Sequence, residues 1–343
     1  MASLAGLSGG EVSSGTWPAL HEMFGFEPAG SILDNIGLFL VRNNARHVVI
    51  GARQPDQALR RIFVDCRTRF VLALDDPANA VVAIIDETGG DPKLAVRAVA
   101  KSCPFVMQFN GLPGGLAIDA ALVRDNPEAA ISAIAAHFGI EADRQTCSAI
   151  LDAVGSPGGG AWRRSGQSLE DRLPAAACKM IDGALSGYRE AFRTGRIDQI
   201  VWTRDLFYLA SSGASPTEPI DISGDSRVLT FGPYIHLPAG SWSAQVVLGF
   251  SQQAATATFE VDVFSEGQLA RTSLVPGSAG IHAAALTFSL GEPRGKGVEI
   301  RVMITSGAAT GSVAFGQAVL RPFAVPGADA PGRLAAFESV LQL

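Results

Sequence analysis

The apolar positions of this chain change their period near Gly213. Ahead of it they fall at helical spacing or in short unbroken runs, and beyond it they alternate. His47-Val-Val-Ile-Gly51 is a β-branched run ending in glycine, and residues 57–68 carry Ala58, Leu59, Ile62 and Phe63 along one helix face. That reads as strand, turn and helix. Residues 70–74 repeat the strand, and Asp75-Asp76-Pro77 opens a helix through Ile85, with a capping carboxylate and a proline in the first turn. Asp91-Pro92 starts a further helix through Lys101, residues 104–109 read as a third strand, and 110–115 as a turn. A helix from Asn126-Pro127-Glu128 ends at His137-Phe138-Gly139, where glycine takes the left-handed C-terminal position. This alternation predicts an α/β domain with a doubly wound, mostly parallel sheet. Residues 169–194 add a long helical stretch. After the break, residues 243–250, 257–264, 284–290, 298–304 and 312–320 read as short strands between Gly, Pro and Ser turns. They predict an antiparallel β-sandwich or jelly roll.

The resulting map has an irregular lead-in at 1–30, an α/β domain at 31–210, a Ser/Gly/Pro linker at 211–219, a sandwich at 220–325 and a tail or short helix at 326–343. A length of 343 residues suits two domains, and 47% hydrophobic against 17% charged residues is a globular balance. The net charge of −6 comes with no dense basic run, which argues against nucleic acid as a partner. Cys66, Cys103, Cys147 and Cys178 form no C-x-x-C pair, so they read as small buried hydrophobes of a reducing compartment. The N-terminus lacks the basic and apolar regions of a signal peptide, and no stretch reaches the ~20 apolar residues of a membrane span. A soluble, cytoplasmic protein is expected.

Candidate chemistry is sparse. The turn after Gly51 offers free backbone N–H groups to an anion, with Arg53 and Arg60 as cations near it. It lacks the second glycine, lysine and hydroxyl of a phosphate-cradling loop, while Pro55 removes a donor and Asp56 adds negative charge. Asp75 and Asp76 stand where a strand meets a helix, a place suited to a metal ligand or general base, or to an N-cap. The five histidines never fall at metal-ligand spacing, His137 reads as a cation at a helix C-terminus, and no nucleophile elbow is present. Residues 162–168, with Trp162, Arg163, Arg164, Ser165 and Ser168, read as a solvated basic turn, with an anion-binding loop as the alternative.

The order VVIGARQPDQAL, FVLALDDPANAVVAII and LVRDNPEAAISAIAAHFGIE resembles a compressed sulfotransferase-type domain of the P-loop-like α/β class. The resemblance covers His47 to about Asp182. It implies a 3′-phosphoadenosine-5′-phosphosulfate donor held by an Arg and a Ser of the middle segment. Here Asp75 stands in the place of that Arg and Ala83 in that of the Ser, so a carboxylate would face the phosphate. Only Gly51 and Arg53 carry over from the family's phosphate loop. The resemblance thus implies a fold without its donor ligands, and no cofactor. An active relative would take a sulfonate donor nucleotide or a nucleotide sugar around Gly51, Arg53 and Arg60.

In the second part, Phe231-Gly-Pro-Tyr234 and Leu237-Pro-Ala-Gly-Ser-Trp242 resemble the β-sandwich modules of bacterial surface-polysaccharide enzymes, which are similar to carbohydrate-binding modules. Sugars are recognised by an aromatic face and planar hydrogen-bonding groups, and Tyr234, His236, Trp242 and Arg271 are the candidates, Tyr234 and Trp242 reading equally as core or rim residues of the first strands. The implied function is an accessory protein or pseudoenzyme of bacterial glycan or exopolysaccharide biosynthesis that binds carbohydrate or a partner enzyme. An active sulfotransferase or glycosyltransferase and a purely structural interaction protein are the alternatives.

Overall fold

The computed structural model describes residues 12–16, 41, 47–51, 57–65, 67–154, 169–291 and 296–323. In chain order the elements are β1 (Val12–Thr16), β2 (His47–Gly51), α1 (Gln57–Asp65), β3 (Phe70–Leu74), α2 (Pro77–Thr88), α3 (Pro92–Phe109), β4 (Gly115–Asp119), α4 (Ala120–Asp125), α5 (Pro127–Phe138), α6 (Arg144–Val154) and α7 (Ala175–Thr194). Ten strands follow: β5 (Ile200–Thr203), β6 (Tyr208–Leu209), β7 (Ile220–Asp221), β8 (Arg227–Ile235), β9 (Gly240–Phe250), β10 (Phe259–Ser265), β11 (Gly267–Leu274), β12 (Gly280–Leu290), β13 (Val298–Ile304) and β14 (Ser312–Pro322). The chain divides into two compact units, residues 1–75 with 108–167, and residues 76–107 with 168–343.

In the first unit β1 pairs parallel with β2, and β3 pairs parallel with β4 from Phe70↔Gly115 to Leu74↔Asp119. Phe63 stacks on Phe70 at 4.2 Å, and both meet Phe109 edge-on. Local capping sets the helix ends. Asp119 accepts from the Ala121 N–H at 2.6 Å, Asn126 from the Ala129 N–H at 3.1 Å, and Gly139 closes α5 at φ 72°.

Among the described residues the expected doubly wound sheet is not formed. Among the described residues parallel pairing is limited to those two pairs of strands. Residues 104–109, expected as the third strand, are instead the last turns of α3. Ala95, Val96, Val99, Ala100 and Cys103 are buried at helical spacing, and Met107 continues the stripe. This burial outweighs the roughly 3 kcal/mol that a proline inside a helix costs. The strand that pairs with β3 lies just beyond, at the end of the segment read as a turn.

In the second unit, two antiparallel five-stranded sheets form the sandwich, with orders β11-β10-β13-β8-β6 and β12-β9-β14-β5, β7 pairing with β14. All five segments expected as strands are present, in β9, β10, β12, β13 and β14. Alternation drives them: Val298, Ile300, Val302 and Ile304 point inward from β13, as do Trp242, Ala244, Val246, Leu248 and Phe250 from β9. Strand β11, an edge strand with mostly exposed and polar positions, carries no such signal.

Helices α2, α3 and α7 join this core through Val81, Val96, Ala100, Ile181, Leu185 and Tyr188. Helix α7 lies tight against β5, because Gly187 and Gly183 present no side chain there. A Cβ at Gly187 would sit 2.5 Å from the Gln199 carbonyl oxygen, and one at Gly183 would sit 2.8 Å from that of Val201. Among the described residues, no helix is long and apolar enough to cross a membrane.

Candidate functional site

The outward face of the β11-β10-β13-β8-β6 sheet carries a row of chemistry-bearing side chains. Registers Arg271↔Asp262, Asp262↔Arg301, Arg301↔Phe231 and Phe231↔Tyr208 set one residue of each strand side by side. The Arg301 guanidinium meets Asp262 in a two-pronged contact, Nε to Oδ1 at 2.9 Å and Nη2 to Oδ2 at 2.5 Å. Asp262 is 1% exposed, so this pairing is what permits its charge to be buried. The same guanidinium lies 4.7 Å from the centre of the Phe264 ring. Toward the other edge, Tyr208 stacks on Phe231 at 5.8 Å, and Phe231 meets Tyr234 edge-on at 6.1 Å.

Tyr234 is the most accessible aromatic ring of the cluster, 36% exposed, and its φ is +64°. A bulky residue is rarely held in the left-handed region, and such strain concentrates at functional positions. Its neighbours hold it there. The phenol donates to Glu299 Oε1 at 2.9 Å, and Gly297 lets the approach to β13 lie on the Tyr234 backbone, since a Cβ there would be 2.2 Å from the Tyr234 carbonyl oxygen. From α3, Arg97 Nε–H donates to the Pro233 carbonyl at 2.6 Å, and its guanidinium lies 4.9 Å from the Tyr208 ring centre and 5.1 Å from that of Tyr234. One turn earlier, Lys93 Nζ sits 4.5 Å over Tyr208 and donates to Ser215 Oγ at 2.5 Å.

Burial, then the acceptor carboxylate of Glu299, pushes the Tyr234 phenol up to about 12. Its ordinary value is 10.0, so above pH 10 the unfolded chain gives up this proton first. Stability is therefore expected to fall as pH rises from 10 toward 12. The slope should be shallower in Tyr234→Phe, as read from urea midpoints at stepped pH; equal slopes would remove the Glu299 contact from the account. Lys93 is lowered by burial, with Asp91 and Asp205 opposing and Arg97 reinforcing the shift.

The other residues singled out in the sequence are scattered. Gly51 ends β2 and the half-buried Arg60 lies in α1, while Arg53 and residues 162–168 fall outside the described residues. Asp76 caps α2 through the Ala78 N–H at 2.9 Å and pairs with Arg189 at 2.6 Å. Arg271 shares the outward row with Tyr234's sheet but lies at its far edge, 3.6 Å from Glu260. His236 lines a separate cleft of about 250 Å³ with Leu237, Ser265, Glu266, Ser289 and Lys296 among its walls. Trp242 is not at the surface: it is 2% exposed, with its indole N–H on the Pro238 carbonyl at 3.0 Å. Its place in the inward series from Trp242 to Phe250 was legible in the alternation. Asp262, Arg301 and Glu299 lie outside the residues that the motif pattern points to, and their only sequence signal is a charged residue at a polar position of an alternating strand. Among the described residues, no group of His, Cys, Asp or Glu is arranged to hold a metal.

No protein-family model and no curated protein matches the chain. Solved structures match parts of it. The CBM36-1 domain of a multidomain xylanase from the hindgut metagenome of Trinervitermes trinervoides is 9% identical, with 37% of this chain and 100% of that one covered at a TM-score of 0.25. A family 61 module in complex with β-1,4-galactotriose is 13% identical over 37% and 83%, at 0.24. An arabinose-bound GH51 α-L-arabinofuranosidase is 12% identical over 30% of this chain and 19% of that one, also at 0.24, so the chain spans about a fifth of that enzyme. Likenesses at this level transfer neither ligand nor activity.

Proposed function

We propose that the sandwich binds carbohydrate on the face formed by β6, β8, β13 and β10. The observation that carries this reading is an exposed Tyr234 ring, held in a strained backbone conformation edge-on to Phe231, which itself stacks on Tyr208, with its phenol on Glu299. The C–H face of a pyranose stacks on such a ring, and the second oxygen of the Glu299 carboxylate accepts from a sugar hydroxyl. Holding the ring in place beforehand lowers the entropy lost on binding.

Tyr234→Ala is expected to weaken glycan binding about tenfold or more, in line with the truncation of an aromatic anchor. A glycan array followed by titration calorimetry reads this out. No binding of the unmodified protein to any glycan would favour a scaffold instead.

The wider role that fits this reading is an accessory protein of bacterial glycan or exopolysaccharide assembly, acting beside a biosynthetic enzyme. Asp76 supports binding over conversion, because its carboxylate is committed to the α2 cap and to Arg189. Saturable binding of a sulfonate donor nucleotide or a nucleotide sugar would overturn the non-catalytic part of the reading and leave the sandwich part intact.

A further inference from the structure

Arg301, Arg189, Arg172 and Arg193 each meet a carboxylate. Lys93 and Arg97 meet none within ion-pair distance among the described residues. They occupy positions i and i+4 of α3, on one helix face. Both are half-buried. Arg97 Nη2 is buried without a hydrogen-bond partner. The Lys93 ammonium has Ser215 Oγ and, at 3.4 Å, the Phe207 carbonyl. Two partly desolvated cations without a counter-ion are costly, and an arriving oxyanion offsets that cost.

The carboxylates around them are already engaged or more distant. Glu299 accepts the Tyr234 phenol, Asp262 is closed off by Arg301, and the Asp91 side chain accepts the Lys93 backbone N–H at 2.9 Å. Asp205 acts on Lys93 through space only.

We infer that Lys93 and Arg97 form a seat for the carboxylate or sulfate group of an acidic sugar whose ring lies on Tyr234. The inference rests on the carbohydrate reading of the same face. The Arg97 Nε–H is held by the Pro233 carbonyl, so its remaining N–H groups are the ones that meet an oxygen of such a group; the ammonium adds a point charge, and the ring beside them takes the sugar's apolar face.

The test is titration calorimetry of the full chain with an oligoglucuronate, a sulfated oligosaccharide and a neutral oligoglucose, each at low and high salt. At least one acidic ligand should bind about tenfold tighter than the neutral one at low salt, the size expected for hydrogen bonds to charged groups. The preference should shrink at high salt as the charges are screened. Lys93→Met and Arg97→Met should each bring the acidic-to-neutral affinity ratio down by several fold. Arg97 also bonds the Pro233 carbonyl, so if Arg97→Met fails to fold, Lys93→Met, which leaves that bond in place, decides the case. Equal affinity for acidic and neutral ligands, or a ratio unmoved by Lys93→Met, overturns the seat and leaves carbohydrate binding standing. Failure of every ligand to bind overturns both.

Discussion

Trp202→Ala should lower the unfolding free energy by about 3–5 kcal/mol, the range for removing a large aromatic ring from a packed core. Trp202 is fully buried in β5, directly opposite Ala318 of β14, and is among the largest side chains in the sandwich core. The surroundings of a packed core relax only in part, so the lost transfer energy and the cavity add together. The Trp202 indole N–H is buried without a hydrogen-bond partner, and leaving a donor so costs about 1–3 kcal/mol. Trp202→Phe deletes that donor while keeping most of the ring, so it should cost much less than alanine. Urea unfolding with an unchanged slope would measure both. An alanine cost below about 1 kcal/mol would mean that β5 is not integral to the core.

Gly187→Ala should destabilise the protein by about 2–3 kcal/mol, although helix propensity alone predicts a gain of about 1 kcal/mol. The two effects have opposite signs, and the geometry decides between them. A Cβ at Gly187 would lie 2.5 Å from the Gln199 carbonyl oxygen and 2.8 Å from Ile200 Cγ1. A backbone oxygen at the start of β5 cannot rotate aside as a long side chain can. The helix must instead retreat, opening a gap along Ile181, Leu185 and Tyr188. Gly183→Ala meets the Val201 oxygen at 2.8 Å and should act in the same direction. Thermal unfolding of the two single variants and the double variant checks this. A raised melting temperature in Gly187→Ala would show that the helix does not approach β5 this closely.

The elements that could be read from the chain are those whose cause is local. Asp76, Asn126 and Gly139 mark helix ends because capping acts within three residues, and the structure has these caps. The five sandwich strands could be read because each alternates under its own burial. Residues 104–109 misled because Pro104 and a short apolar run carry the local signal of a strand, whereas the stripe that makes them helical begins at Ala95 and depends on the core it meets. The candidate site was half legible. Tyr234 and Trp242 carry the same motif signal, and either fits a sugar face or the core; the structure separates them, with Tyr234 36% exposed and Trp242 turned inward.

By itself the sequence determined the change from helical to alternating period, the positions of the caps and the inward face of each main sandwich strand. These follow from side-chain spacing and from hydrogen bonds between near neighbours. Only the tertiary structure decided the strand order, and with it the row from Arg271 through Asp262, Arg301 and Phe231 to Tyr208. It also brought Arg97 to the Pro233 carbonyl, 136 residues away in the chain. The reason is that strand pairing and helix docking are chosen by the burial of many apolar groups at once, and no single segment records that sum.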